Sequence, residues 1–254
     1  MHGLLEGKVA VITGAGSGVG RAAVKVWTDN GAKVIAADIN LATVEETLSL
    51  HGLGADKAIA VACNVADAAA VDAMVKAAVD TFGRLDVIYN NAGITVSSRP
   101  GGGGLRALVD LHADEMRRVE EVNINGVIHG CQAAIRQFMA QGSGGAIVNT
   151  ASVSGLIGYG GVLYGTTKAA VVGMTRTLAI EVAEHGIRVN SVCPAGMLTN
   201  YGDLNPDHPQ RVAMETCPPG WVLVMDARKD ARAATAGSIL ITRLALRGAA
   251  GVIS

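Results

Sequence analysis

Aromatic residues are scarce in this chain of 254 residues, which holds two Trp, four Tyr and two Phe. Its core must be filled by Ala, Val, Ile and Leu instead, a mixture that suits buried parallel strands covered by close-packed helices. Charge is scarce as well: Asp, Glu, Lys and Arg make up 17% of the chain and the formal net charge is −1. The two signs are mixed along the sequence, which excludes the electrostatic footprint of a nucleic-acid or anionic-lipid binder. Mean hydropathy is positive, +0.34, yet Gly, Asp, Asn or Arg breaks every apolar run before the roughly 18 residues that a membrane-spanning helix needs. Cys63, Cys131, Cys193 and Cys217 are far apart and form no C-x-x-C pair, which speaks against a zinc site and a disulfide framework and for thiols in a reducing compartment. The start, MHGLLEGKVAVITGAG, lacks the charged region and cleavage site of a signal peptide. A cytoplasmic protein with a small-molecule partner, and no metal, membrane or nucleic-acid partner, is the expectation.

What the chain does have is alternation. Short apolar runs give way to helical stretches from the start, the pattern of right-handed βαβ units and hence of an α/β fold, a doubly wound parallel sheet with helices on both faces. Strands are predicted at Val9–Ile12, Lys33–Asp38, Ala58–Val61, Leu85–Tyr89, Ala146–Asn149 and Arg188–Val192, and helices at Val19–Asp29, Ala68–Thr81, His112–Gln141 and Thr166–His185, the last closed by Gly186. No linker or internal repeat divides the chain, so one domain over 1–254 is expected, atypical from about residue 220. Ser97–Leu105, SSRPGGGGL, reads either as a tolerated surface insertion or as a substrate-side lid. After Trp221 only Ser238–Thr242 looks strand-like.

The first strand runs into TGAGSGVG, Thr13 to Gly20, and then directly into a helix. Glycines there permit a tight turn and let backbone N–H groups approach a pyrophosphate, stabilised by the positive end of the helix dipole. Gly14, Gly18 and Gly20 do not fit G-x-G-x-x-G in its usual register, so the flanking strand and helix carry the reading. Asp38 ends the second strand about twenty residues after the turn, where a carboxylate accepts from the ribose hydroxyls and repels a 2′-phosphate; the alternative is a strand-end Asp capping the next turn. No basic residue follows at 39–41, and Ser17 rather than Lys or Arg sits in the turn. NAD(H) is therefore favoured over NADP(H).

Tyr164 and Lys168, in YGTTK, are one helical turn apart and can face one site. A nearby ammonium stabilises a phenolate, bringing a group that titrates near 10 toward useful acid/base work. Tyr-x-x-x-Lys is common by chance, and its company decides its meaning. Ser152 stands where a predicted strand ends, at the carboxyl edge where α/β sheets place their sites. Asn123, polar amid apolar neighbours in VNING, is either a satisfied core amide or part of a proton relay.

TGAGSGVG, Asp38, NNAG at Asn90–Gly93, Asn123, Ser152, YGTTK and IRVNSVCPAGMLT together resemble the short-chain dehydrogenase/reductase family, in its branch of about 250 residues, across roughly residues 6 to 200. The resemblance implies a Rossmann-like fold and a tetrad: Tyr164 exchanges the proton with the substrate oxygen, Ser152 positions that oxygen, Lys168 lowers the Tyr164 pKa and holds the nicotinamide ribose, and Asn123 keeps a water in a relay. It further implies that Gly14, Ser17, Gly18, Val19 and Gly20 form the pyrophosphate turn, Asp38 and Ile39 meet the adenosine, Asn64 and Val65 the adenine side, and Asn91, Ala92 and Gly93 the central cofactor wall. Pro194, Gly196 and Thr199 lie beside the nicotinamide on the same grounds. A homotetramer or homodimer is implied too.

The chain departs from the family pattern in four places. Asn64 replaces the usual Asp, Pro194-Ala195-Gly196 replaces P-G, and Tyr164 stands twelve positions after Ser152, one fewer than usual, which leaves Ser154 open as the working serine. The family's closing V-D-G-G, which packs against a partner subunit, has no counterpart after Gly220. The function these features imply is NAD(H)-dependent hydride transfer between nicotinamide and a secondary alcohol or ketone. A pocket drawn from Ile94–Leu108, Val153–Leu163 and Met197–Leu204 favours a hydrophobic substrate. The alternative is an NAD(H)-binding scaffold or sensor that has lost turnover.

Overall fold

The computed structural model describes residues 3–96, 106–157 and 160–195, together with the backbone of 222–224 and 251–253. Gly196, Thr199, the 97–105 segment, the range Met197–Leu204 and the strand expected at Ser238–Thr242 lie outside the described residues.

Six strands form one parallel sheet: β1 (Val9–Thr13), β2 (Lys33–Asp38), β3 (Ala58–Ala62), β4 (Val87–Asn90), β5 (Gly145–Thr150) and β6 (Ile187–Val192), in the order β3-β2-β1-β4-β5-β6. β1, VAVIT, is buried at every position, as its unbroken apolar sequence requires when both faces of a strand are covered. Its side chains alternate between two cores: Val9 and Val11 join Met74, Leu85, Ile88 and Phe138 on one face, while Ala10 and Ile12 join Val24, Val34, Val44 and Tyr89 on the other. Helices α1 (Gly18–Asp29) and α2 (Leu41–Leu50) cover the second face, and α3 (Ala68–Phe82), α5 (Gly126–Gln141) and α6 (Val162–Glu181) cover the first. A separate parallel pair joins β7 (Val222–Val224) to β8 (Gly251–Ile253).

Local chemistry sets the ends. Asp67 caps α3 by accepting from the amides of Ala69 and Ala70 at 2.9 and 3.4 Å, and Gly83 closes it with φ +83°. The helix expected over 166–185 starts earlier, at Val162, and stops at Glu181; Gly186, φ +68°, closes a short 3-10 turn, Ala183–His185, rather than the helix itself. α2 was not anticipated from the sequence. Asn40 starts it by accepting from the Ala42 amide at 3.2 Å, but LATVEETLSL carries a weak apolar stripe that buries only Val44 and Thr47. The single helix expected over His112–Gln141 is α4 (Ala113–Glu120) and α5 joined through a wide π turn, Glu121–Asn125. Apolar periodicity does not register such a one-residue insertion, which recurs at functional sites.

Burial of thiols has a measurable consequence. Cys131 is pushed up to about 12 by burial, and Cys63 to about 11, by burial first and then by the Asp67 carboxylate. In the unfolded chain both lose their protons near 9.0, so above that pH the unfolded state binds fewer protons and stability falls until the folded values are passed. A Cys63→Ala/Cys131→Ala variant should lose Tm less steeply than the parent between pH 9 and 11 in thermal melts. Parallel slopes would contradict this, because every other titrating group is common to both proteins.

Among the described residues no helix is long and apolar enough to cross a membrane. The strand order reverses between β1 and β4, and the crevice at the carboxyl ends of such strands is where open α/β sheets hold ligands.

Candidate active site

At that crevice the glycine turn is tied to the NNAG segment. Thr13 Oγ1 accepts from the backbone amides of Asn91 and Ala92 at 2.9 and 3.0 Å, and Asn91 Nδ2 donates to the Thr13 carbonyl at 3.0 Å. Gly14 turns the chain with φ +68° and Gly18 with φ +50°, a region that disfavours a Cβ. A Cβ on Gly20 would stand 2.0 Å from the Gly14 carbonyl oxygen. The turn thus needs hydrogen at these positions, and its backbone is bared at the start of α1, where Ser17 makes no capping bond and no acidic residue occupies the first turn. Those are the features of an anion cradle, and they fit a pyrophosphate. Val19 follows within the first turn of α1.

Asp38 Oδ2 accepts from the Gly16 amide at 3.1 Å and Oδ1 from the Asn40 amide at 3.2 Å. The carboxylate thus braces the next turn, one of its two readings, and faces the glycine segment. Arg21 reaches this edge but is committed: it donates to Gly16 O at 2.6 Å, Glu46 Oε2 at 2.7 Å and Thr47 Oγ1 at 2.9 Å. Ile39 is 72% exposed, an apolar surface beside the carboxylate. Asn64 is exposed and turns its oxygen to the Ala66 amide at 3.1 Å, while Val65 is buried against Gly126, where a Cβ would come within 2.7 Å of Val65 Cγ2.

The chemical groups converge from β5, α6 and the π turn. Tyr164 lies in the first turn of α6, with Ser152 close enough to its hydroxyl to lower the phenol's pKa. Ser152 Oγ also accepts from the Ser154 amide at 3.1 Å and donates to the Pro194 carbonyl at 3.4 Å. Ser154 is buried and turned toward Gly160, whose added Cβ would meet Ser154 Oγ at 2.5 Å. Of the two candidate serines the structure thus brings Ser152 to the tyrosine. The short spacing is absorbed by a 3-10 turn, Val153–Gly155, packed so tightly on α6 that a Cβ on Gly155 would meet the Lys168 backbone at 2.5 Å.

Lys168 is 2% exposed and donates from Nζ to the Thr150 carbonyl at 2.8 Å, with Nζ 5.6 Å from the Tyr164 ring centroid. Burial lowers its ammonium to about 8. Burial also holds the Tyr164 phenol above its ordinary value, with the Ser152 hydrogen bond working in the opposite direction. The sequence-based expectation was a phenol lowered by the lysine; here burial raises it instead, and the ammonium donates to the Thr150 carbonyl. Gly93 lies between the groups: a Cβ there would be 3.3 Å from both Asn123 Oδ1 and Lys168 Nζ.

Asn123 is fully buried and fully used. Its Oδ1 accepts from the Ile94 amide at 2.8 Å, and its Nδ2 donates to Ile94 O at 2.8 Å and Thr167 Oγ1 at 3.1 Å. Its side chain is thus a satisfied amide that fixes the NNAG loop to α6.

Beside Tyr164 opens a small cleft whose described wall is Val96, Leu108, Leu111, Val162 and Leu163, with Gly160, Gly161 and Arg106. The sequence ranges foresaw most of the apolar members but carried no signal that singles out Arg106, which sits beside a run of glycines as an ordinary loop cation would.

Residues 8–209 match the family model described as short chain dehydrogenase. Among characterised proteins, the chain is similar to the 3beta-hydroxysteroid dehydrogenase 2 of Eggerthella lenta, 41% identical over 203 residues covering 78% of this chain and 74% of the relative. It is similar as well to the cyclohexanol dehydrogenase of an Acinetobacter species, 39% identical over 204 residues, 78% of this chain and 76% of the relative. In structure it resembles a short chain dehydrogenase/reductase from Burkholderia phymatum in complex with NAD, with TM-score 0.70 and 32% identity, covering 86% of this chain and 75% of that one.

Proposed function

The chain belongs to the short-chain dehydrogenase/reductase family, an oxidoreductase working with a nicotinamide cofactor, and from that premise we propose that it interconverts a hydrophobic secondary alcohol and its ketone with NAD(H). The observation that carries this is the placing of Tyr164 beside Ser152 at the rim of an apolar cleft, one helical turn from a buried Lys168. The relatives point the same way, since a hydroxysteroid and cyclohexanol both carry an alcohol on an apolar ring.

The nicotinamide, when bound, supplies or accepts the hydride. Everything else falls to the chain. Tyr164 donates its proton to the carbonyl oxygen during reduction and takes it back during oxidation, and Ser152 Oγ donates a hydrogen bond to the same oxygen. Lys168, held at about 8 by burial, is poised to exchange a proton near neutral pH. Asn123 holds the Ile94 backbone, keeping Gly93 against the site. Gly14, Gly18, Gly20 and the first amides of α1 would hold the pyrophosphate, Asp38 the adenine ribose, Ile39 and Val65 the adenine, Asn91 to Gly93 the central part and Pro194 the nicotinamide end. Cytoplasmic residence is part of the proposal, supported by the buried free thiols Cys63 and Cys131. A scaffold without turnover is not favoured, because the tyrosine, serine and lysine stand together.

Loss of NADH absorbance on adding cyclic ketones, abolished by removing the Tyr164 hydroxyl, tests the reading. NADH binding without Tyr164-dependent turnover across a broad ketone panel would sink it. Cofactor choice has a separate test. Asp38→Ala should cut the ratio of NADH to NADPH in kcat/KM by at least about tenfold, the scale of one charged hydrogen bond; an unchanged ratio would remove Asp38 from its assigned role.

A further inference from the structure

Two polar side chains line the described wall of the cleft, Tyr164 and Arg106, and the reaction accounts only for the first. Arg106 is unusual for a loop arginine in that its side chain is 15% exposed. A guanidinium so far out of water needs partners. Its Nη1 donates to both oxygens of Glu115 at 2.6 and 2.7 Å, and its Nη2 donates to the Asp110 carbonyl. Among the described residues these bonds engage one shared N–H of Nη1 and one N–H of Nη2, out of the five that a guanidinium carries. Glu115 is itself fixed at the start of α4, where its carboxylate accepts from the His112 amide at 3.3 Å and lies at the favourable end of the helix dipole. The Arg106 hydrogen bond first, and then the His112 amide, hold that carboxyl below its ordinary value, so it is ionised at neutral pH. The pair sums to zero. Arg106 therefore brings to the cleft wall a guanidinium whose charge is matched by Glu115: a neutral oxygen can gain a hydrogen bond to it, whereas a carboxylate also meets the Glu115 charge.

We propose that Arg106 is a specificity-determining residue that binds a second, uncharged oxygen of the substrate, remote from the reacting carbon. The substrate class is then a hydrophobic ketone or alcohol bearing an additional ether, hydroxyl or carbonyl oxygen. This rests on the cleft beside Tyr164 being the substrate site.

An isosteric pair isolates that oxygen: 4-methoxycyclohexanone and 4-ethylcyclohexanone, each reduced with NADH, with 4-oxocyclohexanecarboxylate as the anionic probe. The protein should prefer the methoxy ketone by about tenfold in kcat/KM, mostly through KM, as for one hydrogen bond to a charged donor. Arg106→Leu should bring that ratio to about one, and Arg106→Lys, which keeps a cationic donor, should restore part of it. Glu115→Gln should raise kcat/KM for the carboxylate ketone relative to the ethyl ketone by about tenfold, because it uncovers the positive charge. A clamp that only held the loop would lower turnover of all three ketones together and leave both ratios unmoved, and that result overturns the proposal. So does reduction of both isosteres without preference. If none of the three ketones is reduced, the reading of the cleft as a substrate site falls with it.

Discussion

Tyr164→Phe is expected to lower kcat for ketone reduction by about three orders of magnitude, within the range of general acid catalysis, while NADH affinity changes by no more than about twofold. The substitution keeps the ring and removes one oxygen. Ser152 retains two partners when that oxygen goes, the Ser154 amide at 3.1 Å and the Pro194 carbonyl at 3.4 Å, so its position holds. Lys168 likewise keeps the Thr150 carbonyl at 2.8 Å. Initial rates together with an NADH titration separate the two quantities. A loss smaller than about tenfold would mean that water or another group delivers the proton, and Tyr164 would no longer be the acid. The raised phenol and the lowered ammonium also give the parent a pH signature: alcohol oxidation, which needs the tyrosine to accept a proton, should climb as pH rises through the alkaline range.

Gly20→Ala should weaken NADH binding by at least about a hundredfold, with a loss of stability of about 1 to 3 kcal/mol, the scale of an overpacked site. The new Cβ would stand 2.0 Å from Gly14 O and 2.6 Å from Gly14 C, and 2.9 Å from Asn91 Nδ2. The first two are backbone atoms of the same turn, so they cannot swing aside as a side chain would. Relief requires the turn to open, which spoils the row of amides that would meet a pyrophosphate. Gly173→Ala is the matched control. Gly173 is an exposed residue of α6 with nothing within 4 Å of its added Cβ, and alanine there should be neutral or stabilising by up to about 1 kcal/mol. Fluorescence titration with NADH and thermal melts of the two variants decide the matter; equal affinities would show that the turn tolerates a side chain and does not carry the cofactor.

The parts of this molecule that could be read from the sequence are those in which one residue type serves one geometric need. Unbroken runs such as VAVIT mark strands covered on both faces, and glycines with positive φ mark the turn. Tyr164 and Lys168 share a face because four residues make about one helical turn. What stayed hidden depends on partners far away in the chain. Asn123 discloses its partners, Ile94 and Thr167, only in the folded chain. Asp38 is tied to Gly16, twenty-two positions back, a partner that spacing alone does not disclose. The phenol of Tyr164 departs from the sequence-based expectation because desolvation depends on the whole surrounding fold, whereas spacing speaks only to the nearest turn. Arg106 became visible because Glu115, nine residues on, draws it into the cleft wall.

The reversal of strand order has a consequence for the chain as it is made. β1 finds β2 early, pairing Val9 with Lys33, but its other neighbour is β4, where Ala10 pairs with Val87. During synthesis the first half of the sheet can assemble while one edge of its fully buried strand β1 still waits for a partner some seventy residues behind. An open edge of that kind is a template for the wrong strand. A chain that has emerged through β3 but not yet through β4 therefore carries a sticky outer edge along β1, and prompt elongation through β4 protects it.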